Sequence, residues 1–248
     1  MNILVCISHV PDTTSKIDFI EDDSAFNTRD VQFIINPNDE FGLTRAIWLK
    51  EKQGAQVHVV HVGTQKSDAT LRKCLAIGAD KAFRIDTAAT DGFAVAQELA
   101  AFVKNNPYDL IIAGRESIDY NGAMVPGMLA ALLAMPFVPN CVGLEIDGAT
   151  VIAEREIDGG REKLKGALPI VIGGQKGLVE ESDLRIPNMR GIMQARQKPF
   201  EIVPPLQVSA STKDIRFEKP TPKAEVKLVP ADDLDQLIEL LHKEANVL

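Results

Sequence analysis

Apolar and polar positions along this chain fall into a pattern that changes twice. Ile3-Leu-Val-Cys-Ile7 and Asp109-Leu-Ile-Ile-Ala113 are short, nearly continuous apolar runs, the form taken by strands covered on both faces of a parallel sheet. Val57–Val62 and Ala82–Ile85 read as two further strands. Between the runs the apolar spacing becomes helical. Leu43, Ala46 and Ile47 define a helix behind the cap residues Asn36-Pro37-Asn38-Asp39, and Leu71, Cys74 and Leu75 define a second, closed by Gly78. Phe93, Ala96, Leu99, Ala100 and Val103 form the inward stripe of a third, and Val125–Leu133 is a fourth. Capping side chains before a helix and glycine after it supply the partners and the positive φ that helix ends require. Strands alternating with helices in this way predict an α/β fold with a Rossmann-like, doubly wound, mostly parallel sheet.

After Ala149 the period shortens to that of antiparallel strands. Asp158-Gly159-Gly160 separates two β-like segments and reads as a hairpin turn, because tight primed turns need positive φ at their centre. From Gly177 to Pro222 the sequence is irregular, and Pro204, Pro205, Pro220 and Pro222 give it the look of an extended arm. Leu234, Leu237, Ile238 and Leu241 share one face of a closing helix expected over 231–245. The expected organisation is a nucleotide-binding α/β domain over residues 1–200, including the 150–175 hairpin, followed by a C-terminal arm and helix over 201–248.

Composition narrows the function classes. With 248 residues, 45% of them hydrophobic and 5% aromatic, the chain can build one aliphatic core. A net charge of −8, with no basic stripe interleaved with aromatics, argues against nucleic-acid binding. Cys6, Cys74 and Cys141 are odd in number and widely spaced, which speaks against a disulfide framework or a zinc site. No signal peptide and no apolar span of membrane length is read from the sequence, so a cytoplasmic protein without direct membrane insertion is expected. His9, His58, His61 and His242 lack metal-ligand spacing, and Ser8-His9 has no acidic third member for a hydrolase. No catalytic constellation emerges, and Cys6 reads as a small buried hydrophobe.

Fold logic still locates a ligand. In open α/β sheets the crevice lies beyond the carboxyl ends of the strands, where strand order reverses. Cys6-Ile7-Ser8, Asn36–Asp39, Val62-Gly63 and the run Gly114–Val125 occupy such ends. The last, Gly114-Arg115-Glu116-Ser117-Ile118-Asp119-Tyr120-Asn121-Gly122-Ala123-Met124-Val125, joins a buried strand to a helix start, where backbone N–H groups and the helix dipole can face an anion. There is no Walker lysine pattern, and the first βα turn lacks the glycine fingerprint of dinucleotide-binding dehydrogenases.

One stretch is more specific. In Ala153–Gly173, A-E-R-E-I-D-G-G-R-E-K-L-K-G-A-L-P-I-V-I-G, the order of Arg155, Asp158, Gly159, Gly160, Glu162, Leu164, Pro169 and Val171-Ile172 resembles the signature of electron-transfer flavoprotein β subunits, with Gly173 in place of the usual last small residue. Asn36-Pro37 before a helix, A-I-G-A-D ending at Asp80, Ser117-Ile118-Asp119 and Ile186–Arg196 (I-P-N-M-R-G-I-M-Q-A-R) extend the likeness over about residues 3–200. The resemblance implies the adenine nucleotide α-hydrolase-like variety of the fold and an obligate heterodimer with an α subunit that holds most of a redox FAD. It further implies AMP in this chain, electrons received from acyl-CoA or other flavin dehydrogenases, and delivery to an acceptor resembling a quinone oxidoreductase. Carried over by position, the AMP contacts fall on Cys6, Asn36, Pro37, Asn38, Asp39, Val62 and Gly114–Val125. The dehydrogenase recognition loop falls on 184–198, with Met189, Arg190, Ile192 and Met193 as docking residues and Met189 at the position of the family's leucine plug.

Three departures matter. Met124 and Pro126 replace a Gln and a Gly of the family's helix-start loop, removing an amide side chain and one N–H donor. Tyr120 stands where members that bind a second FAD and bifurcate electrons carry glycine, which favours AMP. A different class of function, an autonomous ATP- or AMP-binding module of the universal-stress type, stays open on the residues alone.

Overall fold

The computed structural model describes residues 1–89, 91–222 and 226–248. Nine strands form one sheet: β1 (Asn2–Cys6), β2 (Gln56–Val62), β3 (Lys81–Ile85), β4 (Leu110–Gly114), β5 (Phe137–Asp147), β6 (Thr150–Ile157), β7 (Gly160–Ala167), β8 (Ile170–Gly174) and β9 (Phe200–Val203). Their order across the sheet is β7-β6-β5-β8-β4-β1-β2-β3-β9. From β5 to β9 every neighbour is parallel, and only the β5–β6 and β6–β7 pairings are antiparallel, so β6 alone runs against the sheet. The expected Rossmann-like architecture is present.

The apolar runs explain the centre of this sheet. β4 and β8 are buried at every residue, and Ile3, Leu4 and Val5 of β1 have no exposed surface. Helices cover both faces. α1 (Pro37–Gln53), α2 (Asp68–Ile77) and α5 (Met189–Ala195) supply Leu43, Leu71 and Ala195 to one cluster, while α3 (Gly92–Asn105) and α4 (Val125–Leu133) supply Leu99 and Leu129 to the other. Each fully buried aliphatic side chain contributes roughly 1.5–3 kcal/mol.

Several expectations are corrected. Phe93 is 37% exposed, because the sheet-facing stripe of α3 runs through Ala94 and Phe102 rather than through the first-turn phenylalanine. The stretch from Gly177 to Pro222 is not all irregular: it holds α5 and β9, which extends the main sheet beside β3 with Phe200 opposite Ala82. The limit drawn at residue 200 thus meets a sheet strand, not a linker. β5 was not read from the sequence, and it contains Pro139. The strand tolerates it through an irregularity at Asn140, whose φ is +47° and opposite which the register with β8 shifts. The hairpin turn has positive φ at Gly159 (+85°) but not at Asp158, so it is not the primed turn expected. The closing helix is shorter than 231–245: α6 spans Leu234–Glu239 and continues as a wider turn over Leu240–Glu244, with Leu234, Leu237 and Ile238 exposed.

Two short ribbons, His9–Pro11 with Phe33–Ile35 and Phe19–Ile20 with Ala25–Phe26, fill the connection from β1 to α1. The arm returns to the second of them, where Phe217 stacks on Phe19 at 5.1 Å between ring centres.

Candidate functional site

Strand order reverses between β1 and β4, and the site lies at their carboxyl ends. Asp39, in the first turn of α1, sits at that divide. Its Oδ2 accepts the Ser8 N–H (2.6 Å) after β1, and its Oδ1 accepts the Gly114 N–H (2.8 Å) at the end of β4. Burial pushes the Asp39 carboxyl up to about 7, while hydrogen bonds from Ser8, Asn36 and Gly114 oppose that shift. Asn36 was expected to cap α1. Its side chain makes no cap bond; it reaches across the divide, donating from Nδ2 to Glu116 O (2.9 Å) and accepting at Oδ1 from the Ile118 N–H (3.2 Å). Asn38 also donates to Glu116 O (3.1 Å). The three polar residues of Asn36-Pro37-Asn38-Asp39 therefore build the 114–118 loop, and Pro37 opens the helix, where its missing N–H costs nothing.

The rest of the loop presents backbone to solvent. Asn121 and Ala123 both take φ of +49° and flank Gly122, while Met124 lies at φ −99°. Such alternation of hand turns successive N–H groups toward one concavity. Among the described residues, the N–H groups of Gly122, Ala123, Met124, Val125 and Gly127 donate to no acceptor. They sit at the start of α4, where the helix dipole adds a positive end. An adenine nucleotide fits this chemistry, with phosphate on the 122–127 amides. Cys6 and Val62 close the neighbouring strand ends and share the apolar cluster of α3 and α4, beside the loop. Burial, with Asp39 nearby, raises the Cys6 thiol, so it is an inert apolar wall. Met124 lies over the start of α3: a Cβ on Gly92 would come within 2.6 Å of its sulfur.

Sequence reasoning brought together Cys6, Asn36–Asp39, Val62 and Gly114–Val125, and the fold places all of them at this edge. It missed the arm. Asp91 accepts the Ser211 and Thr212 N–H groups (2.5 and 2.8 Å), and buried Glu98 accepts those of Leu206 and Gln207 (2.8 and 3.1 Å). The Tyr120 hydroxyl donates to Asp214 (2.9 Å). The arm and Tyr120 thereby wall a cleft of about 630 Å³ next to the nucleotide loop, lined also by Ala89 and Lys213. An acidic side chain on the apolar stripe of α3, Glu98, was the one available signal. Gln175 was missed as well: it links the loop to the hairpin, accepting from Arg115 (3.2 Å) and donating to Glu156 (2.6 Å). On the hairpin itself Arg155 pairs with Glu162.

His58 and His61 face opposite sides of β2. His58 lies against Phe83 and Tyr108, whereas the Nδ1 of buried His61 meets Ile7 O at 2.7 Å. Among the described residues no three His, Cys, Asp or Glu come together as a metal ion requires, and no helix is long and apolar enough to cross a membrane.

The residues expected to dock a donor stand elsewhere, on α5, which packs against the C-terminal end of α2. Asn188 caps this helix by accepting the Gly191 N–H (2.8 Å). Ala195 is buried, while Met189 is 76% exposed, Met193 68% and Ile192 43%, with Arg190 also exposed. The residues expected at a nucleotide site and those expected to dock a donor therefore form two separate places.

The fold is that of a Rossmann-like α/β protein carrying an appended hairpin and arm. The sequence profile described as electron transfer flavoprotein domain matches residues 23–207. The chain is 35% identical to the electron transfer flavoprotein subunit beta of Bacillus subtilis over 266 aligned positions, covering all of both chains. It is 32% identical to the subunit of the same name from Dictyostelium discoideum, covering 100% of this chain and 99% of that one. It is also 35% identical to subunit CarD of a caffeyl-CoA reductase-Etf complex from Acetobacterium woodii, covering 82% and 78%. This chain belongs to the electron transfer flavoprotein family, among its beta subunits, and its role is in electron transfer.

Proposed function

We propose that this chain pairs with an α subunit that holds most of the redox FAD, and that it binds AMP as a structural ligand at the Gly114–Val125 loop. The flavin, when bound, supplies the electron chemistry; no side-chain constellation of this chain does. The observation carrying the AMP reading is that, among the described residues, the N–H groups of Gly122, Ala123, Met124, Val125 and Gly127 meet no acceptor, beside a loop fixed by Asn36, Asn38 and Asp39. The residues of this chain bind and orient: Asp39 and Asn36 hold the loop, the amides meet phosphate, and Cys6 and Val62 flank the adenine. Electrons arrive from flavin dehydrogenases, acyl-CoA dehydrogenases among them, that dock on the 184–198 segment. They leave to a downstream oxidoreductase, such as one that reduces quinone, in the cytoplasm.

The test is co-expression with the partner subunit and identification of every nucleotide released on denaturation. One AMP and one FAD per heterodimer are expected. Two FAD and no AMP would replace this reading with electron bifurcation. A colourless monomer that hydrolyses ATP would replace it with an autonomous nucleotide-binding module.

A further inference from the structure

Contacts between α2 and α5 run in both directions. From α2, Arg72 donates through Nη1 to Ala195 O (2.8 Å), the last residue of α5, and to Lys198 O (3.3 Å) just beyond it, and its guanidinium carbon lies 4.8 Å from the centre of the Phe200 ring. From beyond α5, Lys198 donates through Nζ to Leu75 O (2.8 Å) in the last turn of α2 and to Ala79 O (2.7 Å) just past it. The end of each helix therefore meets a cation, Arg72 of α2 for α5 and Lys198 from the segment after α5 for α2, where leftover carbonyls and the dipole favour positive charge. Between the two clamps, Gly191 lies so close to α2 that a Cβ would come within 2.3 Å of Ala76 O. Gly191 and Ala195, one turn apart, are the packed side of α5. Met189, Ile192 and Met193 are left facing out.

Seven residues do not make a stable helix by themselves, since nucleation is unfavourable and few internal bonds form. The conformation of α5 is set by what it is tied to. We propose that Arg72 and Lys198 are positioning residues for donor docking: they hold α5 folded and rotated so that Met189, Ile192 and Met193 form one apolar face before the donor arrives. This rests on the reading of the 184–198 segment as the docking element. Neither Arg72 nor Lys198 need touch the donor. Their effect comes from ordering that would otherwise cost affinity at each encounter, because a preorganised segment binds without that loss.

The experiment uses the heterodimer with Arg72→Met, Lys198→Met, Lys198→Arg and Met189→Ala, reading donor-dehydrogenase kinetics and amide hydrogen exchange over 188–198. Arg72→Met and Lys198→Met are expected to speed exchange in that segment and to raise the apparent KM for the flavoprotein about tenfold, the equivalent of roughly 1.4 kcal/mol. The turnover at saturation and the flavin spectrum should be retained, and Lys198→Arg should restore both readouts. If Arg72→Met does not assemble, Lys198→Met carries the test. Unchanged exchange in 188–198 overturns the clamp. Faster exchange with unchanged KM, while Met189→Ala raises KM, overturns its role in docking. If Met189→Ala and the clamp variants all leave KM unchanged, the docking reading falls, and the positioning proposal falls with it.

Discussion

The carboxylate of Asp39 accepts the N–H of Gly114, joining the start of α1 to the end of β4 across the point where strand order reverses. The contact leaves no space for a side chain at residue 114: a Cβ there would stand 2.2 Å from Asp39 Oδ1, 2.9 Å from Asn38 Cβ and 3.0 Å from Asn36 Nδ2. The three residues that build the loop thus converge on one glycine. Gly114→Ala should destabilise the protein by about 1–3 kcal/mol, the range for overpacking a tight site, and should also lower nucleotide retention. Thermal unfolding and quantification of bound nucleotide check this; a variant that matches the wild type in both would refute the convergence.

Two buried groups give stability opposing dependences on pH. Asp39 is raised from an ordinary 3.8 to about 7 by burial, so the native state keeps a proton that the unfolded chain releases. Its contribution is complete below about pH 4 and is lost as pH rises through 7. His61 is lowered from 6.5 to about 4, again chiefly by burial, so the unfolded chain takes up a proton that the native state refuses. That contribution is complete above pH 6.5 and is lost as pH falls through 4. Relative to wild type, Asp39→Asn should lose less stability between pH 5 and 7.5, and His61→Gln should lose less between pH 7 and 4.5. Melting curves across this range decide, and profiles parallel to wild type for both variants would sink the assignment.

Gly122 lies between two residues of positive φ, and added Cβ atoms there would meet only Met124, at 3.5 Å or more. The protein alone therefore has room for a larger side chain. A phosphate seated on the neighbouring amides would not share it. Gly122→Val is expected to cut AMP retention about tenfold or more with little change in the stability of the nucleotide-free protein. Retention equal to wild type would move the phosphate away from this turn.

Met189 and Met193 stand one helical turn apart on the exposed side of α5. A buried apolar anchor contributes roughly 1.5–3 kcal/mol, and a flexible methionine can adapt to pockets of different shape. Met189→Ala should raise the apparent KM for the flavoprotein in a dehydrogenase assay about tenfold or more. If Met193→Ala has that effect and Met189→Ala does not, the anchor lies one turn further along.

The end of the chain is apolar and uncovered. Val226, Leu228, Leu234, Ile238 and Leu248 are exposed by 79, 90, 63, 55 and 70%. Surface of this kind marks an interface. Expressed alone, the chain should self-associate and bind a hydrophobic dye, and the partner subunit should abolish both. A monodisperse, dye-silent isolated chain would contradict a partner-covered arm.

The sequence by itself determined the layered centre of this protein. Ile3–Cys6 and Leu110–Ala113 are continuous apolar runs because helices cover both faces of those strands, and period alone reveals that. Gly78, with φ of +151°, ended α2 as glycine does after a helix. The strand ends carrying Cys6, Asn36–Asp39, Val62 and Gly114–Val125 were legible for the same reason, since a parallel sheet puts them on one edge. What tertiary structure decided were contacts between residues far apart in the chain and unremarkable in local pattern. Asn36 looked like a cap and became a strut to Glu116; Glu98, on which the sequence reading was silent, became the buried anchor of Leu206 and Gln207. The strand Phe137–Asp147, with Pro139 inside it, went unread, and Phe200–Val203 looked like the start of an arm and became the sheet's last strand. Local propensity and period are properties of a few consecutive residues. The partner of a buried polar group, and the strand that completes an edge, are set by which distant segments the packed core brings within reach.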